Sequence, residues 1–261
     1  MHAVDDDNFA NYEKYDCFNW GFQKKAEGKI RHLGFSFHGT PSKLIEILDK
    51  YPQVEFVQIQ LNYLDWDSDS VYSGELYKIL TDRNIPIVVM EPIKGGSLAE
   101  FRPELEAKFR AVNPDNSIAS WALRYVGSLP GVMTLLSGMS TLQQMEDNVE
   151  TFTSFRPLDE KEKQTISEVV QSIKASPRIG CTACSYCTDG CPMNIGIPDI
   201  FKLINSYNVY GKTDKLNRKY QELLTKKSGP SDCIGCGQCE GVCPQHLPII
   251  ELLKNAAEIF D

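Results

Sequence analysis

Short, almost continuous apolar runs alternate with longer amphipathic stretches through about the first 155 residues of the chain. The apolar runs predict four β-strands, at Ile30–Ser36, Val54–Gln60, Ile85–Met90 and Val132–Leu136. The amphipathic stretches predict helices at Ser42–Tyr51, Val71–Arg83, Ser117–Val126 and from Thr141 through Glu150. Because continuous apolar runs are typical of strands covered by helices, this alternation predicts an α/β fold with a parallel sheet and right-handed crossovers.

Eight of the nine cysteines form two copies of one motif, C-x-x-C-x-x-C-x-x-x-C-P. Thiolates with this spacing hold 4Fe-4S clusters, and in two-cluster proteins the cysteine before the proline binds the other cluster. We therefore expect two clusters, each held by three cysteines of one copy and the last cysteine of the other. The first set is Cys181, Cys184, Cys187 and Cys243, and the second is Cys233, Cys236, Cys239 and Cys191.

Two other uses of the cysteines compete with the clusters. A disulfide framework suits small secreted chains, whereas this chain has 261 residues and no secretory signal peptide at Met1. Paired zinc sites stay open as an alternative, although zinc sites usually separate their two cysteine pairs by a longer loop. The ninth cysteine, Cys17, lies in a helical pattern beside Phe18 and Trp20, and we expect it to be a buried, small apolar residue.

The cysteine motifs lie among predicted helices. An amphipathic helix is expected at Asp159–Ala175, and Ser176-Pro177 marks a boundary after it. The 41 residues between Cys191 and Cys233 contain two further helical patterns, and a final helix runs through Ile249 to Ala256. We therefore divide the chain into an α/β part at 1–155, a connecting helix at 156–176 and an α-helical domain with two clusters at 177–261.

Composition and charge narrow the classes of function. The chain is 42% hydrophobic and 24% charged, which is typical of a folded protein, and no run of eighteen apolar residues predicts a membrane helix. Residues 1–176 contain 18 Lys and Arg against 26 Asp and Glu, whereas residues 177–261 contain nine of each. This acidic excess argues against nucleic acid as a partner. Free thiols and oxygen-sensitive clusters indicate a reducing cytoplasm.

Four segments at the predicted strand ends carry a family resemblance. They are Gly28–His38, Val57–Tyr63, Met90–Gly96 and Ser137–Asn148. In this order they resemble the motifs of the aldo/keto reductase family, and more closely the bacterial members in which a barrel is fused to a C-terminal pair of 4Fe-4S clusters. The resemblance implies strands 5 to 8 of a TIM (β/α)8 barrel, followed by an α-helical, ferredoxin-like dicluster domain.

The resemblance also implies a binding site for NADH or NADPH. Ser36 and Gln58 would bind the nicotinamide carboxamide, and the adenine end would be lined by Gly138, Ser140, Thr141, Gln144 and Asn148. Met90 stands where the family usually stacks a tyrosine on the nicotinamide. Gly138 and Gln144 stand where cationic residues often meet the 2′-phosphate of NADPH, so no arginine fork supports tight selectivity for NADPH. An ordinary structural role stays open for each residue: Ser36 could satisfy a strand end, and Gln144 could be a solvated helix residue.

Half of such a barrel has no counterpart in this sequence. The family's catalytic tetrad is Asp, Tyr, Lys and His on the first four strands, and Met1–Val4 resembles the end of the fourth, so His2 is the one candidate catalytic residue. Four strands cannot close a barrel, and we expect an open inner face and two unpaired edges. Pairing of two chains into a homo-oligomer, loss of the chemistry, and a gene model begun at an internal methionine would each explain this, and we favour the last.

Two functions from different classes follow, besides a zinc-binding interaction module. The first is an iron–sulfur oxidoreductase of the aldo/keto reductase type, which couples nicotinamide-dependent chemistry on a small carbonyl-type substrate to electron transfer through the clusters to a redox partner protein. The second is a non-catalytic, ferredoxin-like electron carrier in which the barrel remnant is a docking scaffold. Neither involves nucleic acid or a membrane.

Overall fold

The structure is a computed structural model that describes residues 1–261, and it separates into two compact units. The sheet unit comprises residues 1–99 and 107–170, and the cysteine unit comprises residues 100–106 and 171–261. None of the helices combines the length and the apolar character needed to cross a membrane. The three-part division expected from the sequence stays a prediction beside these two units.

The sheet unit is built on four parallel strands in the order β1-β2-β3-β4. Their bounds are Gly34–Ser36 (β1), Phe56–Gln60 (β2), Ile87–Met90 (β3) and Val132–Leu135 (β4). Ser36 lies opposite Gln58, and Gln58 lies opposite Val88, so the carboxyl ends of neighbouring strands meet at one edge of the sheet. The expectation of an α/β fold with a parallel sheet is confirmed.

Three strands begin later than the apolar runs predicted. Residues 30–33 lie outside β1, because the Glu55 carboxylate accepts the Leu33 N–H at 3.0 Å and contacts His32 Nδ1 at 3.0 Å. This side chain takes the place of a strand partner for the Leu33 N–H, whereas the Leu33 carbonyl accepts the Glu55 N–H at 2.9 Å. The second and third strands begin at Phe56 and Ile87 instead of at Val54 and Ile85.

Helices alternate with the strands, and several begin at a capping side chain, among them Thr40, Ser117 and Thr141. Those that lie in the sheet unit in whole or in part are α1 (Phe9–Lys14), α2 (Cys17–Ala26), α3 (Pro41–Lys50), α4 (Ser73–Asp82), α5 (Pro103–Arg110), α6 (Ile118–Gly127), α7 (Leu142–Thr153) and α8 (Glu160–Lys174). Ser117 was expected within α6 but is its N-cap, and its Oγ accepts the Ser120 N–H at 3.1 Å. Helices α1 and α5 were not predicted.

An aromatic cluster forms the centre of the sheet unit's core. Phe18 is fully buried, stacks on Tyr51 with ring centroids 4.2 Å apart, and meets Phe35 edge-on at 5.8 Å. Cys17 precedes it at the start of α2 but is only half-buried, and Trp20 is 62% exposed. The expectation of a buried Cys17 is therefore wrong, because the buried face of α2 is that of Phe18 and Gly21.

The first four residues lie along the outer edge of β1. Val4 forms a parallel bridge with Phe37, and its N–H donates to the Ser36 carbonyl at 2.8 Å while the His38 N–H donates to the Val4 carbonyl at 2.9 Å. The terminal amine of Met1 donates to the Gly34 carbonyl at 2.9 Å. The expectation of two unpaired sheet edges is therefore corrected, because these residues pair with β1, whereas β4 ends the sheet at the other side.

The cysteine unit is helical, as the spacer length predicted. Its helices are α9 (Tyr186–Asp189), α10 (Ile197–Tyr210), α11 (Asp214–Leu224), α12 (Gln238–Gly241) and α13 (Ile249–Phe260), with a 3-10 turn at Pro230–Asp232. Helices α10 and α13 supply a core of Ile200, Phe201, Ile204 and Leu253, which also contains Cys187 and Cys239. Tyr220 of α11 stacks on Phe260 with centroids 5.0 Å apart.

Candidate functional site

The two cysteine motifs fold into loops with the same backbone signature. In the first, Ala183 and Ser185 have positive φ angles of 55° and 66°, and in the second Gly235 and Gly237, at the equivalent positions, have 66° and 78°. A short helix follows at the same place in each loop, Tyr186–Asp189 and Gln238–Gly241. These left-handed residues flank the second cysteine of each motif, Cys184 or Cys236. The chain therefore turns sharply between successive thiols.

Each loop forms one wall of a cavity, and the other copy supplies the last cysteine. One cavity is lined by Cys181, Cys184, Cys187 and Cys243, and the other by Cys191, Cys233, Cys236 and Cys239. Both are small, with volumes of about 10 and 20 Å³. The structure thus brings the eight cysteines together in two sets of four, each drawn from both motifs.

The chemistry of these cavities suits an iron–sulfur cluster. Four thiols are the donor set of a 4Fe-4S cube, and apolar side chains such as Phe201 and Ile249 in one cavity and Ile195 and Leu253 in the other complete the walls. The thiols surround each space, and no three of the His, Cys, Asp and Glu side chains are placed to hold a single metal ion. Burial raises the pKa of the Cys187 thiol to about 11, so the free thiol carries a proton that ligation to a metal would displace.

A separate cavity of about 460 Å³ lies in the sheet unit at the carboxyl ends of β3 and β4. Its walls are the loop after β3 with Ile93 and Gly95, the loop after β4 with Ser137 and Gly138, and α7. This volume is that of a small-molecule site, and the outer side of the carboxyl ends of parallel strands is where α/β proteins bind ligands.

The structure places the predicted cofactor residues in two groups. Gly138, Gln144 and Asn148 line the cavity, whereas Ser36 and Gln58 are neighbours on β1 and β2 and are not among its walls. Ser36 Oγ accepts the Ala3 N–H at 2.7 Å, so the serine satisfies a strand end in this structure. The Gln58 amide contacts the sulfur of Met90 at 3.3 Å.

Ser140 and Thr141 lie where α7 begins, next to the cavity. Thr141 Oγ1 accepts the Gln144 N–H at 3.2 Å, while Gln144 Oε1 accepts the N–H groups of Ser140 and Thr141 at 2.8 and 3.3 Å. This is a capping box, which satisfies the free N–H groups of a helix start. Asn148 is buried and donates to Ser137 Oγ at 2.9 Å, which joins α7 to the loop after β4.

His2 lies beside the group on β1 and β2. Its Nδ1 is 3.5 Å from Ser36 Oγ, and Tyr12 donates its hydroxyl to the His2 carbonyl. The candidate catalytic histidine and the candidate carboxamide-binding serine are therefore adjacent, although three residues of the tetrad have no counterpart in the chain.

A buried polar network near the sheet cavity was not predicted from the sequence. Lys94 Nζ lies 2.6 Å from both carboxylate oxygens of Asp65, and the fully buried Asn62 donates to Asp65 at 2.9 Å and to the Glu91 carbonyl at 3.2 Å. Glu91 and Lys94 both have positive φ angles. The network ties the loop after β2 to the cavity-lining loop after β3. A polar Asn62 between Leu61 and Tyr63 was the one signal for it in the sequence.

These features define an α/β protein with a ligand-sized cavity at its strand ends and a helical domain with iron–sulfur chemistry. The model of the aldo/keto reductase family matches residues 22–171, and the chain belongs to that family. A model described as a 4Fe-4S dicluster domain matches residues 180–247. The chain therefore combines an aldo/keto reductase domain with a C-terminal 4Fe-4S domain, and the family resemblance and the fold class expected from the sequence are confirmed.

The chain is also similar to individual known proteins. L-galactose dehydrogenase of Arabidopsis thaliana is 26% identical over 56% of this chain and 49% of its own length. A protein of the ion-translocating oxidoreductase complex of Buchnera aphidicola is 31% identical over 31% of this chain and 14% of its own length. A solved aldo-keto reductase of Bacillus halodurans, in its apo form, has 23% identity and a TM-score of 0.49, with 64% of this chain and 59% of that chain covered. The chain spans about half the length of L-galactose dehydrogenase and a smaller share of the Buchnera aphidicola protein.

Proposed function

We propose that this chain is part of an iron–sulfur oxidoreductase of the aldo/keto reductase type, which couples nicotinamide-dependent redox chemistry to electron transfer through two 4Fe-4S clusters. The observation that carries the proposal is the pair of cavities, each lined by four cysteines from both motifs. When bound, the two clusters would carry electrons one at a time between this chain and a redox partner. A small carbonyl-type substrate would react with the nicotinamide, and a redox partner protein would exchange electrons with the clusters.

The lining of the two cavities supports an assignment of the cysteines to two sets. Cys181, Cys184, Cys187 and Cys243 would hold one cluster, and Cys233, Cys236, Cys239 and Cys191 would hold the other. In support, Cys187 and Cys239 are buried in the same apolar core, which keeps water from that side of both cavities. The exposed Cys184 and Cys236 lie toward solvent, where a partner protein could approach the clusters.

The crossed ligand sets are tested by single cysteine variants. Cys243→Ala removes one thiol from the cavity of the first motif, so the cluster between Cys181 and Cys187 should be lost or converted while the second stays. Cys191→Ala should do the reverse, and Cys17→Ala is the matched control because this half-buried thiol lies in the sheet unit. Resonance Raman and EPR spectra of the anaerobic variants distinguish the clusters. If Cys243→Ala alters only the second motif's cluster, the crossing is wrong.

The sheet cavity is the proposed site of the dinucleotide. Gly138, Gln144 and Asn148 would contact its adenosine end with Ser140 and Thr141 at the helix start, and Ser36 and Gln58 would bind the carboxamide. Support comes from the cavity volume of about 460 Å³ and from its position at the carboxyl ends of β3 and β4. His2, beside Ser36, would then be a catalytic residue near the nicotinamide.

Titration of the anaerobically reconstituted chain with NADH tests this proposal. Saturable binding, detected as quenching of protein fluorescence, is expected, and loss of visible cluster absorbance on addition of NADH would report electron transfer. Ser140→Ala and Gln58→Ala should weaken binding. Absence of binding would overturn the nicotinamide-dependent part of the proposal.

A non-catalytic electron carrier is the second candidate function. It is favoured by the hydrogen bonds that already engage Ser36 and Gln144, since both side chains have structural partners without a ligand. If the chain is an electron carrier, its clusters should be reduced by ordinary chemical reductants. Their absorbance should not change when NADH or NADPH is added. The same titration therefore separates the two candidates.

A further inference from the structure

We propose that the loop after β3, which lines the sheet cavity, is ordered through the cysteine unit, so that the cavity is complete only when the clusters are bound. Six of the fourteen lining residues lie between Glu91 and Ala99, and we call residues 91–99 the cavity loop. The residues that follow, Glu100–Glu106, belong to the cysteine unit. The proposal rests on the clusters of the proposed function and does not depend on which ligand the cavity takes.

The cavity loop consists of turns whose backbone needs support from outside the loop. Glu91, Lys94, Gly95 and Gly96 have positive φ angles between 49° and 86°. This left-handed conformation is unfavourable for Glu91 and Lys94, because their Cβ atoms crowd the following carbonyl. Near its start the loop is supported by the ion pair of Lys94 with Asp65, at 2.6 Å. Its other end continues directly into residues that contact α10.

Phe101 and Arg102 form an anchor at the end of α10. Phe101 is buried and stacks on Tyr210, with ring centroids 5.9 Å apart. The Arg102 guanidinium donates to the Asn208 carbonyl at 2.9 Å. This carbonyl lies in the last turn of the helix, where carbonyls lack a partner within the helix and attract a cation. A Cβ added to Gly211, the residue after α10, would lie 3.4 Å from Arg102 Cα, so the two backbones approach closely.

The opposite end of α10 lies at the cysteines. Ile197, the first residue of the helix, lines both cysteine cavities, and Phe201 lines one of them. The 14 residues of α10 therefore form one helix between these cavities and the anchor. An isolated helix of this length is only marginally stable in water, so α10 depends on the core of the cysteine unit. That core contains the proposed cluster ligands Cys187 and Cys239.

Loss of the clusters should therefore release the anchor. Metal binding and folding are coupled in domains whose core includes the metal ligands. When the cysteine unit loosens, the end of α10 no longer offers a fixed carbonyl to Arg102 or a fixed ring to Phe101. The cavity loop then keeps its support at Lys94 but loses it at the other end, and one wall of the cavity loses its order. Ligand binding in the sheet cavity would thus follow cluster insertion.

Hydrogen-exchange mass spectrometry of the full chain, before and after anaerobic chelation of iron, tests the proposal. Amide exchange in the cavity loop should accelerate about tenfold on chelation, while β2 stays protected. In the cluster-loaded chain, Arg102→Ala should accelerate exchange in the cavity loop to a similar extent, with unchanged iron content. Tyr210→Ala should do the same from the α10 side of the anchor, although it changes no residue near the loop in sequence.

The matched control is Arg218→Ala, which removes the same side chain from an exposed position on α11. It should leave exchange in the cavity loop unchanged. Arg102→Lys, which keeps a cation at the end of α10, should retain most of the protection. Equal acceleration in the loop by Arg102→Ala and Arg218→Ala would overturn the role of the anchor.

Iron and sulfide analysis of the same samples separates the two levels of the proposal. Chelation that accelerates exchange at 181–191 and 233–243 but not in the cavity loop would overturn the dependence of the loop on the clusters and leave the clusters in place. A reconstituted chain without iron and sulfide would overturn the proposed function, and the dependence of the loop on clusters with it.

Discussion

The sheet unit and the cysteine unit are stabilised in different ways. The sheet unit buries an aromatic and aliphatic core around Phe18 and Phe35 between helices and four hydrogen-bonded strands. The core of the cysteine unit is smaller, and two of its buried members, Cys187 and Cys239, are also proposed metal ligands. Structure and proposed chemistry are therefore carried by separate residues in the first unit and by the same residues in the second.

Removal of iron should therefore affect the two units very unequally, and this is the largest expected effect. Without clusters the motif loops at 181–191 and 233–243 lose the bonds from cysteine to iron that join them, since metal binding and folding are coupled in such domains. We expect amide hydrogen exchange there to accelerate about a hundredfold or more after anaerobic chelation, while β2 and β3 stay protected. Hydrogen-exchange mass spectrometry makes the measurement. Equal acceleration in both units would contradict the contrast.

The sheet unit should instead be sensitive to a buried ion pair. Arg124 and Glu162 form a bidentate pair with distances of 2.6 and 2.7 Å, and their side chains are 7% and 4% exposed. Glu162→Gln leaves the Arg124 guanidinium buried without its counter-charge, so the free energy of unfolding should fall by about 3–5 kcal/mol. Urea unfolding followed by circular dichroism measures this loss.

Glu160→Gln is the matched control for that variant. Glu160 lies on the same helix and pairs with Lys163, but its side chain is 91% exposed. Its removal should change the free energy of unfolding by no more than about 1 kcal/mol. Similar losses for the two variants would show that burial of the pair is not what stabilises this part of the unit.

Within the cysteine unit, substitutions at equivalent positions of the two motif loops should change stability in opposite directions. Ser185 has a positive φ angle of 66°, which costs a residue with a side chain about 1 kcal/mol, so Ser185→Gly should stabilise the unit by up to that amount. Gly237 has the equivalent conformation, with a φ of 78° and open space around an added Cβ, so Gly237→Ala should destabilise by about 1 kcal/mol. Thermal unfolding of the cluster-loaded chain measures both. Changes of the same sign would contradict the shared backbone of the loops.

The smallest predicted effect concerns the carboxylate that shortens β1. Hydrogen bonds from Lys25, then His32 and the Leu33 N–H, lower the pKa of Glu55 from 4.5 to about 2. The contribution of Glu55 to stability is therefore complete above pH 4.5 and is lost as the pH falls toward 2. Glu55→Gln should flatten the loss of stability of the sheet unit across that window. An NMR titration of Glu55 with a midpoint near 4.5 would contradict the prediction.

The two units also differ in how far the sequence predicts them. The positions of helices such as α3 and α10 follow from apolar periodicity, and the cysteine spacing identifies the donor set, because both are local patterns. The start of β1 could not be predicted, since it depends on the Glu55 side chain, which reaches Leu33 from 22 residues along the chain. Ala183 and Ser185 carry no signal for left-handed conformations, whereas Gly235 and Gly237 do.

The candidate dinucleotide site likewise contains features that local sequence patterns predict and features that depend on residues distant in the chain. Thr141 and Gln144 are recognisable as a helix start from sequence, because a capping box is a local pattern. The network of Asn62, Asp65 and Lys94 joins residues from two loops that are distant in the chain, and its members are ordinary polar residues in the sequence. Tertiary contacts therefore decide which polar residues are buried beside the cavity.

The content of iron and acid-labile sulfide in the anaerobically reconstituted chain tests the central claim most directly. Two 4Fe-4S clusters require about eight iron and about eight sulfide per chain. We predict these values for the unaltered chain and for Cys17→Ala, with zinc absent from the reconstituted protein. About two zinc ions per chain without sulfide, or about four irons with about half of the motif cysteines free to alkylation, would contradict the account.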